Sequence, residues 1–142
     1  MPAVDVETLF QTFADDFMAG EHLAFSQSFA HPLIVYLPFE IRIQKTTEDT
    51  LFSLSDCLAS ARMAGATTIR SSARVETGST GVRLPVNVTW TFFTQRNLAC
   101  GTISARFYMR SESGQPARIE LIEIFESNLL APAPRAVSVA RH

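Results

Sequence analysis

The sequence predicts an α+β domain in which three N-terminal helices pack in the concave side of a strongly bent antiparallel sheet. Helical periodicity occupies Val6 to Gly65, and from Thr67 to Ser127 the chain changes to long alternating strands separated by Gly-containing turns. A curved antiparallel sheet needs an apolar layer against its concave side, and the helices that precede it can supply that layer. The space between helices and sheet is then either filled core or a pocket.

Length and composition indicate one domain and an oligomer. A chain of 142 residues can bury a core without metal or disulfide support. We expect residues 1–130 to form a single domain and residues 131–142, which contain Pro132 and Pro134, to form a flexible tail. Eleven Phe residues in a chain with 18% charged residues leave more apolar surface than a small monomer hides, so a homodimer is expected.

Charge and residue spacing argue against several classes of partner. The net charge is -2 and the Lys and Arg residues are scattered, so nucleic acid is not an expected partner. No apolar stretch reaches the roughly 18 residues of a membrane span, which predicts a cytoplasmic protein without a membrane partner. Cys57 and Cys100 are isolated, and phosphate-loop or metal-ligand spacing is absent from the sequence. We therefore expect neither a metal nor a cofactor.

The first helix is predicted from an apolar stripe with recognisable ends. Asp5 precedes it as an N-cap and Gly20 follows it as a C-terminal stop. The stripe has three- and four-residue spacing and consists of Leu9, Phe10, Phe13, Phe17 and Met18. A short second helix is predicted within Glu21 to Ala30, because Pro32 disfavours helical backbone at the residue before it.

The third helix and the strands follow from capping and alternation. Thr46 and Asp49 form a capping-box pattern, and Gly65 marks the end of this helix. Alternating residues predict strands over Leu33 to Leu37, Phe39 to Ile43, Thr67 to Thr77, Val82 to Phe92, Cys100 to Arg110 and Ala117 to Ser127. The segment Gly78 to Gly81 predicts a hairpin turn between two of them.

One segment is similar to a known superfamily. The run from Gly20-Glu21-His22-Leu23 through Phe29-Ala30-His31 to Tyr36-Leu37-Pro38 resembles the second helix and following strand of nuclear transport factor 2-like proteins, in their ketosteroid isomerase and SnoaL-like polyketide-cyclase branch. The resemblance implies a cone-shaped, cystatin-like roll that dimerises through the outer face of its sheet. It does not imply one function, because that superfamily includes isomerases, dehydratases, epoxide hydrolases, transport factors and association modules.

The resemblance also predicts that isomerase chemistry is missing. Ketosteroid isomerase-like members use a Tyr on the first helix as an oxyanion donor and an Asp before the proline as the base. The matching positions hold Phe13 and Leu37, and the third position, an acid on the sheet, falls near Thr102 or Ile103. Phenyl and aliphatic side chains cannot donate or accept the protons that this reaction moves.

Four polar residues are weaker catalytic candidates. His31 could act as a base, but a histidine in the last turn of a helix commonly interacts only with free carbonyl groups. Tyr36 could present its hydroxyl to a ligand or leave it in water. Arg106 could pair with Glu123, and such a pair near a pocket could activate water, although structural ion pairing is the more common role.

The strand predicted from Cys100 to Arg110 has two faces, and the alternation of residues alone does not say which face points into the cone. One face is polar and carries Cys100, Thr102, Ser104, Arg106 and Tyr108, and the other carries Ile103, Ala105, Phe107 and Met109. The dimer implied by the resemblance favours the polar set inside. Ile103 and Phe107 then form an outer dimer surface, together with either Leu121 and Phe125 or Ile122 and Ile124.

These expectations define a pocket and two functions. The predicted ligand-pocket residues are Phe13, Phe17, Tyr36, Leu37, Trp90, Phe92, Arg106 and Tyr108. The preferred function is a dimeric, noncatalytic binding or association domain whose cone holds a small apolar ligand or is filled by its own Phe side chains. The alternative is a cofactor-independent lyase, isomerase or hydrolase using His31, Tyr36, Arg106 or Glu123. An enzyme requires a base and a donor that converge on one point of the cavity.

Overall fold

In the part of the chain that the structure describes, three helices and six strands follow one another in the order that the sequence predicts. The computed structural model describes residues 5–76, 83–111 and 116–128. The helices are α1 (Val6–Ala19), α2 (His22–Ser26) and α3 (Thr47–Met63). The strands are β1 (Phe29–Tyr36), β2 (Ile41–Gln44), β3 (Ala66–Val75), β4 (Arg83–Thr94), β5 (Ala99–Arg110) and β6 (Arg118–Ser127). The hairpin turn predicted at Gly78 to Gly81 and the tail predicted at residues 131–142 lie outside the described residues.

All six strands belong to one sheet in the order β2-β1-β6-β5-β4-β3. Neighbouring strands are antiparallel except for β1 and β6, which are parallel. The predicted α+β arrangement of helices against a bent, mostly antiparallel sheet is confirmed, and β1 with β6 is the parallel pair among the described strands. The chain passes through β2, α3 and three further strands before β6 returns beside β1, and that connection is long enough to allow a parallel arrangement.

Capping residues set the ends of the longer helices as predicted. The Asp5 carboxylate accepts a hydrogen bond from the Thr8 backbone N–H at 3.2 Å. Gly20 ends α1 in the left-handed region at φ 79°. Thr46 and Asp49 form a reciprocal capping box at the start of α3, in which each side chain accepts from the other residue's backbone N–H.

The boundary between α2 and β1 differs from the prediction. The helix ends at Ser26, and β1 already begins at Phe29, ahead of Pro32. The reason is a contact with β6: the Ser28 carbonyl accepts from the Ile119 N–H at 2.7 Å, and Phe29 is paired with Ile119. Pairing with β6 satisfies backbone groups that one more helical turn would otherwise occupy.

Two register shifts distort β6 against β5. Tyr108 is opposite Leu121 whereas Met109 is opposite Ile119, so Glu120 is an extra residue in the ladder. A second shift occurs further along, where Ser104 is opposite Glu126 and Ala105 is opposite Ile124, which leaves Phe125 extra. Such β-bulges bend a strand and increase its twist.

Helix α1 covers the sheet at β3 and β4. The Gln11 side chain donates to the Ile69 carbonyl at 2.9 Å and accepts from the Ser71 N–H at 2.9 Å, which ties the helix to the edge strand β3. Phe10, Phe13 and Phe17 are buried beneath the helix. The sheet residues of the same core include Val86, Val88, Trp90 and Phe92 of β4.

The expectation that the polar face of β5 points into the cone is wrong. Ala105 and Met109 are buried in the core that the helices cover, and Phe107 contacts Phe10 of α1 with ring centroids 5.0 Å apart. Arg106 and Tyr108, which alternate with these residues, therefore lie on the opposite, outer face of the sheet. Burial of the apolar set removes hydrocarbon from water without desolvating a guanidinium, which decides the orientation.

The longest helix of the described part of the chain is α3, with 17 residues. Within residues 5–76, 83–111 and 116–128, no helix is both long and apolar enough to cross a membrane.

Substitution of Phe92 tests the core that lies between the helices and the sheet. The Phe92 side chain is 0% exposed, whereas Phe52 on α3 is 77% exposed. We expect Phe92→Ala to lower the free energy of unfolding in urea by about 3 to 5 kcal/mol, because the buried ring leaves a cavity. The matched variant Phe52→Ala should change it by less than about 0.5 kcal/mol. Equal effects of the two substitutions would contradict this assignment of the core.

Candidate functional site

A cavity of about 120 Å³ lies between the helices and the concave side of the sheet. Its helical side includes Phe17, Phe25, Leu54 and Cys57, and its sheet side includes Leu33, Val35, Val88, Trp90, Ile103, Ala105, Phe107, Ile122 and Ile124. Aromatic and branched aliphatic side chains thus form most of the wall. The cone is therefore not completely filled by its own Phe side chains, although several of them line it.

The single tryptophan of the chain is held at this cavity by a hydrogen bond. The Trp90 indole N–H donates to the Ser71 hydroxyl at 3.1 Å, between paired residues of β4 and β3. A buried indole usually finds such a partner for its N–H. The bond fixes the ring, whose centroid lies 5.8 Å from that of Phe17.

One part of the cavity wall is polar. Gln44 at the end of β2 and Thr50 and Ser53 on α3 line it. Thr50 is only 2% exposed, and its hydroxyl donates to Oε1 of Gln44 at 2.7 Å. His31 Nε2 lies 2.7 Å from the same hydroxyl oxygen. His31 thus contacts the cavity only through Thr50.

The cavity lining contains no carboxylate, ammonium, guanidinium, phenol or imidazole among the described residues. The Cys57 thiol is the one lining group there that could ionise. Burial, reinforced by the nearby Asp56 charge, raises the pKa of Cys57 to about 12. A thiol with that pKa is not a thiolate near neutral pH, so it is a poor nucleophile and base.

Only part of the predicted pocket surrounds this cavity. Phe17 and Trp90 line it. Phe13 and Phe92 are instead buried in the surrounding core, and Phe13 packs between Phe10 and Phe25 with ring centroids 5.1 and 4.9 Å away. Leu37 packs against the core from beyond the end of β1 and does not line the cavity.

Tyr36 lies on the other side of the sheet. Leu33 and Val35 point into the cavity, so Ile34 and Tyr36 alternate to the outer face. Tyr36 is paired with Glu123, which is itself paired with Arg106. Pocket residues predicted at Tyr36, Arg106 and Tyr108 thus do not line the cavity, because the apolar faces of β1 and β5 both turn inward.

Arg106 is the centre of an ion-pair cluster on the outer face. Its guanidinium lies 3.1 Å from a Glu76 carboxylate oxygen and 3.2 Å from Oε1 of Glu123. It also donates to the Asn87 amide oxygen at 3.1 Å, and the Tyr108 hydroxyl donates to Glu123 at 2.5 Å. These contacts satisfy the charges within the protein.

The cluster shifts the pKa values of its own members. The pKa of Arg106 is raised, chiefly because its guanidinium donates to the Tyr108 hydroxyl at 3.3 Å. Burial raises the pKa of the Tyr108 phenol, and its hydrogen bond to Glu123 acts in the same direction. Both groups therefore keep their protons near neutral pH, which does not favour proton transfer.

The four catalytic candidates do not meet at one point of the cavity. Tyr36, Glu123 and Arg106 form one cross-strand row on the outer face, whereas His31 approaches the cavity through Thr50. His22, at the start of α2, is buried with its ring 5.7 Å from that of Phe17 and a 3.3 Å contact to Ser55.

The polar residues of the cavity were not among those predicted from the sequence. Thr50, Leu54, Cys57 and Ala61 recur at helical spacing along α3, and the first of them interrupts an otherwise apolar face. A polar residue within such a face was the available signal. Gln44 could be assigned to the inner side only once its pairing with Leu33 was known.

Comparisons with known proteins give matches in structure only. The sequence matches no protein-family model and no curated protein. An NTF-2 like protein of unknown function from Shewanella oneidensis superposes with a TM-score of 0.65 and 12% identity, over 87% of this chain and 98% of its own. An NTF2-like protein with a cystatin-like fold from Novosphingobium aromaticivorans gives 0.62 and 11%, over 84% and 78%.

A third structure agrees with these two. A protein of unknown function with a cystatin-like fold from Nostoc punctiforme superposes with a TM-score of 0.61 and 13% identity, over 87% of this chain and 93% of its own. The three superpositions establish the fold of this chain. Sequence identities this low leave its function open. The chain therefore has the nuclear transport factor 2-like, cystatin-like fold, which the resemblance of residues Gly20 to Pro38 predicted.

Proposed function

We propose that this protein is a noncatalytic binding domain whose cone holds one small, neutral, largely apolar molecule. The observation that carries the proposal is the composition of the cavity wall, which combines aromatic and aliphatic side chains with three neutral polar ones. Ligand sites are typically of this kind, mostly apolar with a few placed polar groups. A charged ligand would lose its hydration without gaining a partner there.

The size of the cavity suggests a ligand with a single ring. A dry apolar cavity of about 150 Å³ is enough to hold a benzene molecule. The cavity here measures about 120 Å³, so a substituted benzene requires the lining side chains to move outward. Phe17, Phe25 and Trp90 would contact the faces and edges of such a ring.

The enzyme alternative has less support. A cofactor-independent lyase, isomerase or hydrolase needs a base and a stabilising donor within reach of the bound substrate. His31 is separated from the cavity by Thr50, and Arg106 and Glu123 are engaged with each other on the outer face. The arrangement therefore favours binding over proton transfer.

We further propose that two copies associate through the outer face of the sheet. Strand pairing aligns two rows there: Ile43, Ile34, Leu121 and Tyr108 in one, and Ile41, Tyr36, Glu123 and Arg106 in the other. Ile41 is 61% exposed and Ile43 is 58% exposed, and Phe125 beside Arg106 is 50% exposed. A contiguous apolar surface next to satisfied ion pairs is typical of a protein interface.

This interface replaces the one expected from the sequence. Ile103 and Phe107 line the cavity and cannot form an outer surface. Of the two alternatives for β6, Ile122 and Ile124 line the cavity, so Leu121 and Phe125 are the pair available outside. A self-complementary association of this face would bury these side chains in both copies.

Trp90 allows ligand binding to be measured directly. Titration of the protein with ethylbenzene should produce a saturating change in Trp90 fluorescence, because the bound ligand alters the surroundings of the indole. Ala105→Leu places a larger side chain in the cavity and should weaken binding by about tenfold or more.

The control for this experiment lies on the same strand. Ala99→Leu adds the same side chain at an exposed position and should leave the titration unchanged. A linear, unsaturable fluorescence response in the unmodified protein, or equal weakening by both substitutions, would argue against a ligand site in the cone.

Light scattering tests the proposed dimer. We expect Ile43→Glu to convert a dimer to a monomer, because a carboxylate would be buried in the interface without a partner. Leu23→Glu is the matched control, since Leu23 is an exposed apolar residue on α2 that does not belong to the sheet. A monomeric mass for the unmodified protein, or a dimeric mass for Ile43→Glu, would exclude this interface.

A further inference from the structure

We propose that the polar wall of the cavity selects ligands that carry a hydrogen-bond acceptor on the ring, such as aryl ethers or ketones. This inference rests on the proposed binding function and concerns the chemistry of the same cavity. It follows from the direction of a hydrogen-bond chain that runs from His31 through Thr50 to Gln44.

The direction of the chain is determined by the Thr50 hydroxyl. That group has one hydrogen, and it donates this hydrogen to Oε1 of Gln44 at 2.7 Å. His31 Nε2, also 2.7 Å from the hydroxyl oxygen, must then be the donor in the other contact. His31 is therefore protonated at Nε2, in either its neutral or its cationic form, and in both forms it supports the same orientation of Thr50.

The direction of the chain and the orientation of the Gln44 amide determine each other. In the observed arrangement the amide oxygen accepts from Thr50, whereas an exchanged amide would donate to the Thr50 hydroxyl, which would then donate to an unprotonated Nε2 of His31. The Gln44 amide nitrogen has no hydrogen-bond partner in residues 5–76, 83–111 or 116–128. Gln44 thus keeps both amide N–H donors available to a ligand, and its oxygen is already engaged by the Thr50 hydroxyl through one of its two lone pairs.

The position of Gln44 brings this amide to the cavity. Gln44 is paired with Leu33, and both residues line the cavity wall. Paired residues on neighbouring strands project to the same face of the sheet, which here is the concave face. A ligand oxygen beside Gln44 would satisfy an N–H that a pure hydrocarbon would leave unpaired.

Ser53 is the other polar lining residue with a free choice of partner. A hydroxyl can donate or accept, so Ser53 does not discriminate between ligand oxygen atoms that donate and those that accept. Selection for an acceptor is therefore assigned to Gln44, which acts through an orientation supplied by Thr50 and His31.

Anisole and ethylbenzene form a matched ligand pair for testing the inference. They have similar size and shape, and they differ in an ether oxygen in place of a methylene group. The ratio of their affinities, measured by Trp90 fluorescence, is compared between the unmodified protein and Gln44→Met. Their different hydration cancels in this comparison, since the same two ligands are used with each protein.

We expect Gln44→Met to reduce the anisole-to-ethylbenzene affinity ratio by about fivefold, the value of one neutral hydrogen bond. Methionine keeps the length and approximate volume of glutamine but has no N–H. Thr50→Val, which removes the hydroxyl at constant shape, should reduce the ratio in the same direction because Gln44 loses its orientation. Ala99→Leu, at an exposed position of β5, should leave the ratio unchanged, and Ser53→Ala measures the separate contribution of the other polar lining residue.

The outcomes separate this inference from the proposed function. If neither ligand binds the unmodified protein, the binding function fails and the inference fails with it. If ethylbenzene binds and the ratio is the same in Gln44→Met and Thr50→Val, binding stands and the selection is overturned. A ratio that changes in Ser53→Ala alone also overturns it. The ethylbenzene affinity of each variant reports whether the cavity remains intact. If Gln44→Met does not fold, the affinity ratio in Thr50→Val decides whether the polar wall selects an acceptor.

Discussion

The burial of one apolar face of β5 is the constraint on which the rest of the molecule depends. Ala105, Phe107 and Met109 turn toward the helices, so every side chain that alternates with them must face outward. A shift of one residue would exchange the two faces and place Arg106 in the core. The arrangement leaves the cone neutral and concentrates charge on the outer surface, where ion pairs retain part of their hydration.

Features encoded by neighbouring residues could be predicted from the sequence, and features set by distant pairing could not. Asp5, Gly20 and Thr46 act through backbone groups within a few residues, so the ends of α1 and the start of α3 match the prediction closely. The start of β1 depends on Ile119 of β6, which is remote in the chain. No local pattern near Pro32 contains that information.

The candidate site shows the same limit more sharply. Alternation in β5 established which residues share a face, but the orientation of that face depends on which set the helices cover. The apolar composition of the inner set was the better guide, and the dimer implied by family resemblance pointed the other way. Thr50 was readable in principle as a polar interruption of an apolar helix face, whereas its link to His31 requires the approach of α3 to β1.

The two bulges of β6 have a consequence for its charge pattern. Glu120, Glu123 and Glu126 are three residues apart, and in an uninterrupted strand an odd spacing would send the middle carboxylate to the face opposite the other two. The extra residues at Glu120 and Phe125 change the phase of the strand twice, so all three acids share the outer face of the sheet. If the same residues alternated regularly, Glu123 would point toward the cone without the first bulge, and Glu126 would do so without the second. The two bulges thus allow a strand with three glutamates to keep all of them off its apolar inner face.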